Sequence, residues 1–270
     1  MRPRHFPSEK SAVYFTLLDA CGKEGCPVCR IIEEASASYL DTLFYEQVTD
    51  VEVRRKLRQA RGLCSWHSAA VTRRPTAALG AAIIVQDLLE EEVARLATLQ
   101  HQPFWRRGPV GRLARLSPQA LAGYLRGWRS RHVCPACQAA TAHEQHALET
   151  LLNCLDEAVF AQRFAATPFG ICLPHLVQAA AGQASHPNLI GLFNAQLARY
   201  AGLVAELAEF CRKHDYRFSR EAWGTEANAW QRGIEVLAGK AGIFGNDLQR
   251  QEWRRKPRLR QFRLGWWQAP

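Results

Sequence analysis

Apolar residues along the chain recur every three or four positions, which is the spacing of one helix face. Ser11 to Ala20 forms a short amphipathic segment with Val13, Tyr14, Leu17 and Leu18 on one side. Ile32, Ala35, Tyr39, Leu43 and Gln47 continue the pattern, and Leu148, Leu151, Leu152, Leu155 and Val159 repeat it later. A shorter helix is predicted over Val51 to Ala60, with Gly62 and Gly170 placed where a helix should end. Pro75 breaks the next helical stretch, and long helices follow over Thr76 to Gln100 and Pro187 to Arg212. In the second, Leu189, Phe193, Leu197, Tyr200, Val204 and Leu207 form one stripe, read as core-facing. Trp223, Trp230, Ile234 and Leu237 are read as ordinary helix packing. Alternating strand patterns are nearly absent, so the expected fold is all-α.

The pattern is also duplicated. Cys26-Pro27-Val28-Cys29 precedes Cys64-Ser65-Trp66-His67, and Cys134-Pro135-Ala136-Cys137 precedes Cys172-Leu173-Pro174-His175. All four positions recur at an offset of 108 without a gap. Leu40 and Leu148, Leu43 and Leu151, and Gly62-Leu63 and Gly170-Ile171 align at the same offset. The expected organisation is an N-terminal helix with a first Cys3His unit over 1–102, a connector over 103–132 and a second unit over 133–213. A C-terminal helix and tail complete it over 214–270.

Two residues between the members of each pair let one tight turn present both side chains to one ion. A pair opening a helix also gains from the positive end of the helix dipole, which favours the thiolate that ligates. Three thiolates and an imidazole make a closed zinc site with no position left for water, which argues against hydrolytic chemistry. The expectation is two zinc ions per chain. Proximity in sequence assigns Cys26, Cys29, Cys64 and His67 to one ion, and Cys134, Cys137, Cys172 and His175 to the other. The alternative exchanges the halves, so that Cys26 and Cys29 meet Cys172 and His175. An iron–sulfur cluster with one His ligand is the competing cofactor. Cys21, Cys154 and Cys211 have no counterpart in the repeat and are read as buried thiols.

Composition adds less. The 270 residues include 35 Lys+Arg against 25 Asp+Glu, for a net charge of +10, and hydrophobic residues make up 47%. The chain is thus globular rather than disordered, and no apolar run reaches membrane-spanning length. The nine cysteines are an odd number and a poor disulfide framework. Leu18-Asp19-Ala20-Cys21 makes only a loose lipoprotein box, with Asp19 badly placed, so the expected setting is the cytoplasm.

Positive charge gathers in two segments. Pro103 to His132 holds Arg106, Arg107, Arg112 and Arg115 among other arginines, and no acid. The tail holds Arg254, Arg255, Arg258, Arg260, Trp266 and Trp267. Arginine with flat aromatic rings suits nucleic acid, through phosphate contact and base stacking, or an acidic protein. The competing reading packs the rings on the helical units and leaves the arginines solvated. His143 and His146 lie one helical turn apart with Glu144 beside them; they could bind a metal on a helix face but are read as surface histidines. Gly239-Lys240-Ala241-Gly242 lacks the order of a phosphate loop. No catalytic constellation is visible. Two functions follow as expectations: a non-enzymatic, zinc-stapled binding module, or a redox- or metal-responsive regulator using the same thiols.

The paired CPxC and GxCxxH motifs, the YFTLLDA helix before GCPVC, and Trp230-Gln231-Arg232-Gly233-Ile234-Glu235 resemble an uncharacterised bacterial family, a domain of unknown function. The resemblance implies a prokaryotic, cytoplasmic protein with the eight ligands named above. It implies no activity.

Overall fold

The computed structural model describes residues 11–101, 104–105, 113–114, 121–122, 133–167, 169–218 and 220–244. Most of these residues are helical. The helices are α1 (Ala12–Ala20), α2 (Pro27–Tyr45), α3 (Val51–Ala60), α4 (Ser65–Thr72) and α5 (Ala78–His101) in the first half. They are followed by α6 (Pro135–Cys154), α7 (Ala158–Ala165), α8 (Leu173–Gly182), α9 (Leu189–Lys213) and α10 (Ala229–Ala238). A two-residue antiparallel ladder joins β1 (Phe104–Trp105) to β2 (Leu113–Ala114), with Phe104 opposite Ala114. The order α2–α5 recurs as α6–α9, and the starts of α2 and α6 lie at the offset read from the cysteine motifs.

Local chemistry sets the helix limits. The Ser11 hydroxyl accepts from the Tyr14 amide at the start of α1, and an Asp50 carboxylate oxygen accepts from the Val53 amide at 2.8 Å at the start of α3. Helix α3 ends with Arg61 in the left-handed region and Gly62 at φ 94°, a conformation that favours glycine. Pro75 opens a single 3-10 turn, Pro75–Ala77, that separates α4 from α5.

The centre of the fold is the pair α2 and α6, which is the most extensive helix–helix contact. They run antiparallel. The start of α2 (Val28, Ile31, Ile32) shares a cluster with Ala147, Leu148, Leu151 and Leu152 near the end of α6. The end of α2 (Leu40, Leu43, Phe44) shares another with Cys134, Ala136 and Cys137 at the start of α6. Each core is therefore built from both halves of the chain. At one end α1 adds Tyr14 and Leu17, α7 adds Phe160 and Phe164, and α8 adds Leu176 and Ala179. At the other end α3 adds Leu57 and α5 adds Ile84. Helix α5 comes close to α2 through Gly80, where a Cβ would stand 2.0 Å from the Phe44 carbonyl oxygen.

The stripes read on α9 and α10 face differently from expectation. On α9 the buried positions are Leu192 and Gln196, with Leu189, Tyr200 and Leu203 partly covered. Phe193, Leu197 and Val204 are more than half or half exposed. On α5, Val85, Leu89 and Leu96 are also exposed at the corresponding positions. On α10 the buried residues are Ala229 and Val236, while Trp230, Ile234 and Leu237 are exposed. Trp223, also half exposed, lies against Phe210 and His214, with ring centroids 5.4 and 5.1 Å away. Gln196 wins the inward place on α9 because its amide donates to the Ile171 carbonyl at 2.8 Å, so a polar side chain is buried with a partner.

Candidate metal centres

All four motif pairs adopt one local geometry. Cys26, Cys64, Cys134 and Cys172 are the N-cap residues of α2, α4, α6 and α8, and none uses its side chain to cap the helix. Cys29, His67, Cys137 and His175 stand three residues further on, in the first turn. Residues three apart on a helix share a face, so each pair aims both donors the same way. The free amides and dipole of each helix start favour a thiolate there.

The pairs then meet across the halves. Site I gathers Cys26, Cys29, Cys172 and His175; site II gathers Cys64, His67, Cys134 and Cys137, all eight buried. Within each site the donor atoms lie within 4.8 Å of one another. This corrects the assignment of one ion to each repeat: the halves are exchanged. The reason is helix length. At 1.5 Å per residue, α2 spans about 28 Å and α3 only about 15 Å, too little to return the chain to Cys26. Cys64 instead lies in the cluster at the end of α2, where the antiparallel α6 has placed Cys134 and Cys137.

The distances inside each site are short and even. In site I, His175 Nδ1 lies 3.4 Å from Cys26 Sγ, 3.5 Å from Cys29 Sγ and 3.1 Å from Cys172 Sγ. Cys29 Sγ and Cys172 Sγ are 3.8 Å apart. In site II, His67 Nδ1 lies 3.2 Å from Cys64 Sγ, 3.7 Å from Cys134 Sγ and 3.4 Å from Cys137 Sγ. Cys64 Sγ and Cys137 Sγ are 3.5 Å apart.

Packing three thiols and an imidazole together separates their proton affinities. Burial opposes ionisation of Cys26, but hydrogen bonds from Cys172 and Cys29 and the neighbouring His175 hold its thiol well below the usual range. Burial, and then hydrogen bonds with Cys26 and Cys29 and the charge on them, pushes Cys172 far up. In site II, hydrogen bonds from Cys134 and Cys137 pull Cys64 far down, while Cys134 and Cys64 push Cys137 far up. Burial works against a charged His67, yet Cys134 and Cys64 raise it to about 9. A cluster of this kind cannot hold all its thiols ionised without a cation among them.

The surroundings of site I include residues outside the cysteine and histidine motifs. His175 Nε2 lies 3.0 Å from Glu144 Oε1, and both side chains are buried. Glu144 stands on the inward face of α6, in register with Cys137, Ala140, Ala147 and Leu151. An acid on an otherwise apolar face was the available signal. Its neighbours His143 and His146 are exposed, as expected of surface histidines. The segment after α10 covers the same site: the Lys240 amide donates to Cys29 Sγ at 3.5 Å, and the Phe244 ring lies 4.8 Å from the His175 ring. Gly239, at φ 74°, makes this possible, since a Cβ there would fall 2.3 Å from the Phe244 ring. Gly239 to Gly242, set aside as a phosphate loop, is thus a cover for site I.

Of the remaining cysteines, Cys21 is buried and Cys154 partly buried. Cys211 is exposed, which corrects its reading as a buried thiol. Arg106, Arg107, Arg112, Arg115, Arg254, Arg255, Arg258, Arg260, Trp266 and Trp267 lie outside the described residues.

The fold and its centres define a helical protein with two buried Cys3His-type clusters shared between its halves. The family described as a family of unknown function (DUF6062) matches residues 13–242, and the chain belongs to it. The match takes in all eight clustered residues and stops before the tail. No curated protein and no solved structure matches the chain. Among the described residues, no helix is long and apolar enough to cross a membrane.

Proposed function

We propose that the protein is a non-enzymatic binding module whose halves are stapled together by two structural zinc ions. Cys26, Cys29, Cys172 and His175 hold one ion, and Cys64, His67, Cys134 and Cys137 hold the other. The observation that carries the reading is the set of donor distances. Zinc–sulfur bonds of about 2.3 Å and zinc–nitrogen bonds of about 2.0–2.1 Å put tetrahedral neighbours about 3.8 Å (S···S) and about 3.5 Å (S···N) apart. The sulfur–sulfur contacts of 3.5 and 3.8 Å and the sulfur–nitrogen contacts of 3.1 to 3.7 Å fall close to those edges. An iron–sulfur cluster would interpose its own irons and sulfides between the anchoring residues and spread them further apart. Bound zinc would supply charge neutralisation and a cross-link, and four protein donors leave no position open for a reacting water.

The burial of all eight donors supports a structural role over an oxidant-sensing one, because reactive thiols need access. The partner we assign to the basic aromatic segments is nucleic acid or an acidic protein, on the strength of arginine and aromatic residues occurring together there. Elemental analysis of protein purified under reducing conditions tests the metal reading. Two equivalents of zinc are expected; iron with visible charge-transfer absorbance, or less than one equivalent of any metal, overturns it.

A further inference from the structure

The two sites share one donor set but differ in what surrounds it. In site I the His175 ring is fixed from behind by the buried Glu144, at 3.0 Å from Nε2. The position 108 residues before Glu144 is Ser36, a shorter side chain without charge. Among the described residues, the hydrogen bonds of His67 run through Nδ1 alone, to the cluster's own sulfurs. Site I also has a backbone amide on one sulfur, from Lys240 to Cys29, and the Phe244 ring against its imidazole. His175 is fully buried, whereas His67 and Cys64 keep 6% and 5% of their surface in contact with solvent.

Each difference acts in the same direction. A carboxylate on the far nitrogen of a ligating imidazole fixes the ring so that Nδ1 faces the metal, and it raises the basicity of that nitrogen; losing such a partner typically costs 10–100-fold in metal affinity. An amide donated to a thiolate offsets part of the excess negative charge of a three-thiolate site. A ring over the imidazole keeps out the water or chelator that must enter before a ligand can leave.

We propose that the two centres are unequal, site I a permanent staple and site II an exchangeable zinc site, with Glu144 as the positioning residue that separates them. The inference rests on the zinc reading above. It makes the Cys64–His67–Cys134–Cys137 centre the place where zinc enters and leaves the folded protein.

The test is a stopped-flow zinc release with a chelating dye as both competitor and reporter, on the full reduced chain loaded with two equivalents. Release in two steps is expected, the slow one at least tenfold slower. N-ethylmaleimide added between the steps, followed by peptide mapping, assigns them. Cys64, Cys134 and Cys137 should be alkylated first, and Cys26, Cys29 and Cys172 should remain protected. Glu144→Ala should speed the slow step by 10–100-fold and leave the fast step unchanged. Glu144→Gln, which keeps an acceptor for the His175 N–H, should fall between. A purely structural role for Glu144 would lower the melting temperature without changing the ratio of the two rates. If Glu144→Ala does not fold, the order of release in the unaltered protein and in Glu144→Gln still decides the matter. Single-step release, or protection of site II beyond site I, overturns the inference while leaving two structural zinc ions in place. A starting content well below two equivalents overturns both.

Discussion

Cys29 and Cys172 are 143 residues apart in the chain, and their sulfurs are 3.8 Å apart in the fold. They belong to different halves of the chain. That contact makes each centre a joint between halves, so that neither half contains a complete site.

This arrangement predicts how metal content falls in double substitutions. Cys26→Ser should cost one equivalent of zinc, and adding Cys172→Ser should cost no more. Adding Cys64→Ser to Cys26→Ser should remove the second equivalent. Pairing within each repeat would give the reverse, so elemental analysis of the two double variants separates the schemes. Each single substitution should also lower the melting temperature, because zinc bound only by the folded chain adds to its stability.

Zinc uptake should release protons. In the metal-free protein His67 is raised to about 9 from its ordinary value of 6.5, and Cys137 is raised as well. Both are therefore protonated near neutral pH, and both must lose that proton to ligate. Calorimetric titration in buffers of different ionisation enthalpy should give heats that depend on the buffer. The sign for the metal-free fold is fixed by the same shift. Stability contributed by His67 is fully present below pH 6.5 and is lost as pH rises through about 9. With zinc bound the dependence inverts, and stability is lost on acidification as protons displace the metal. Buffer-independent heats would overturn this.

Two matching glycines should respond in opposite ways. Gly80, the third residue of α5, faces the Phe44 carbonyl so closely that Gly80→Ala should destabilise the fold by about 1–3 kcal/mol. Gly191, the third residue of α9, has open space where a Cβ would stand. Gly191→Ala should be neutral or stabilise by up to about 1 kcal/mol, through helix propensity. Chemical denaturation of the two variants reads both.

If the tail binds nucleic acid, affinity in a gel-shift titration should fall steeply between two salt concentrations. Removing residues after Leu248 should weaken binding without loss of helix by circular dichroism. Changing Trp266 and Trp267 to alanine keeps the arginines and should weaken single strands more than duplex. No shift at low salt would leave an acidic protein as the partner.

The sequence by itself determined everything that depends on near neighbours. Period and punctuation placed the helices: Val51–Ala60 ends where read, and α5 and α9 begin within a few residues of Thr76 and Pro187. The spacing within CPxC and CxxH was enough to put two donors on one helical turn, because a turn is decided by a handful of consecutive residues. What only the tertiary structure decided is which turns meet and which faces turn inward. Periodicity gives the angle of a side chain around its own axis but not the position of a neighbouring helix. The α9 stripe of Phe193, Leu197 and Val204 was thus as regular as a core stripe and faces outward. Glu144 read as one acid beside two surface histidines until α8 set His175 against it. The meeting of motif pairs from opposite halves of the chain goes with α3 being shorter than α2 while α6 lies antiparallel beside it, a relation between lengths and directions that no single segment contains.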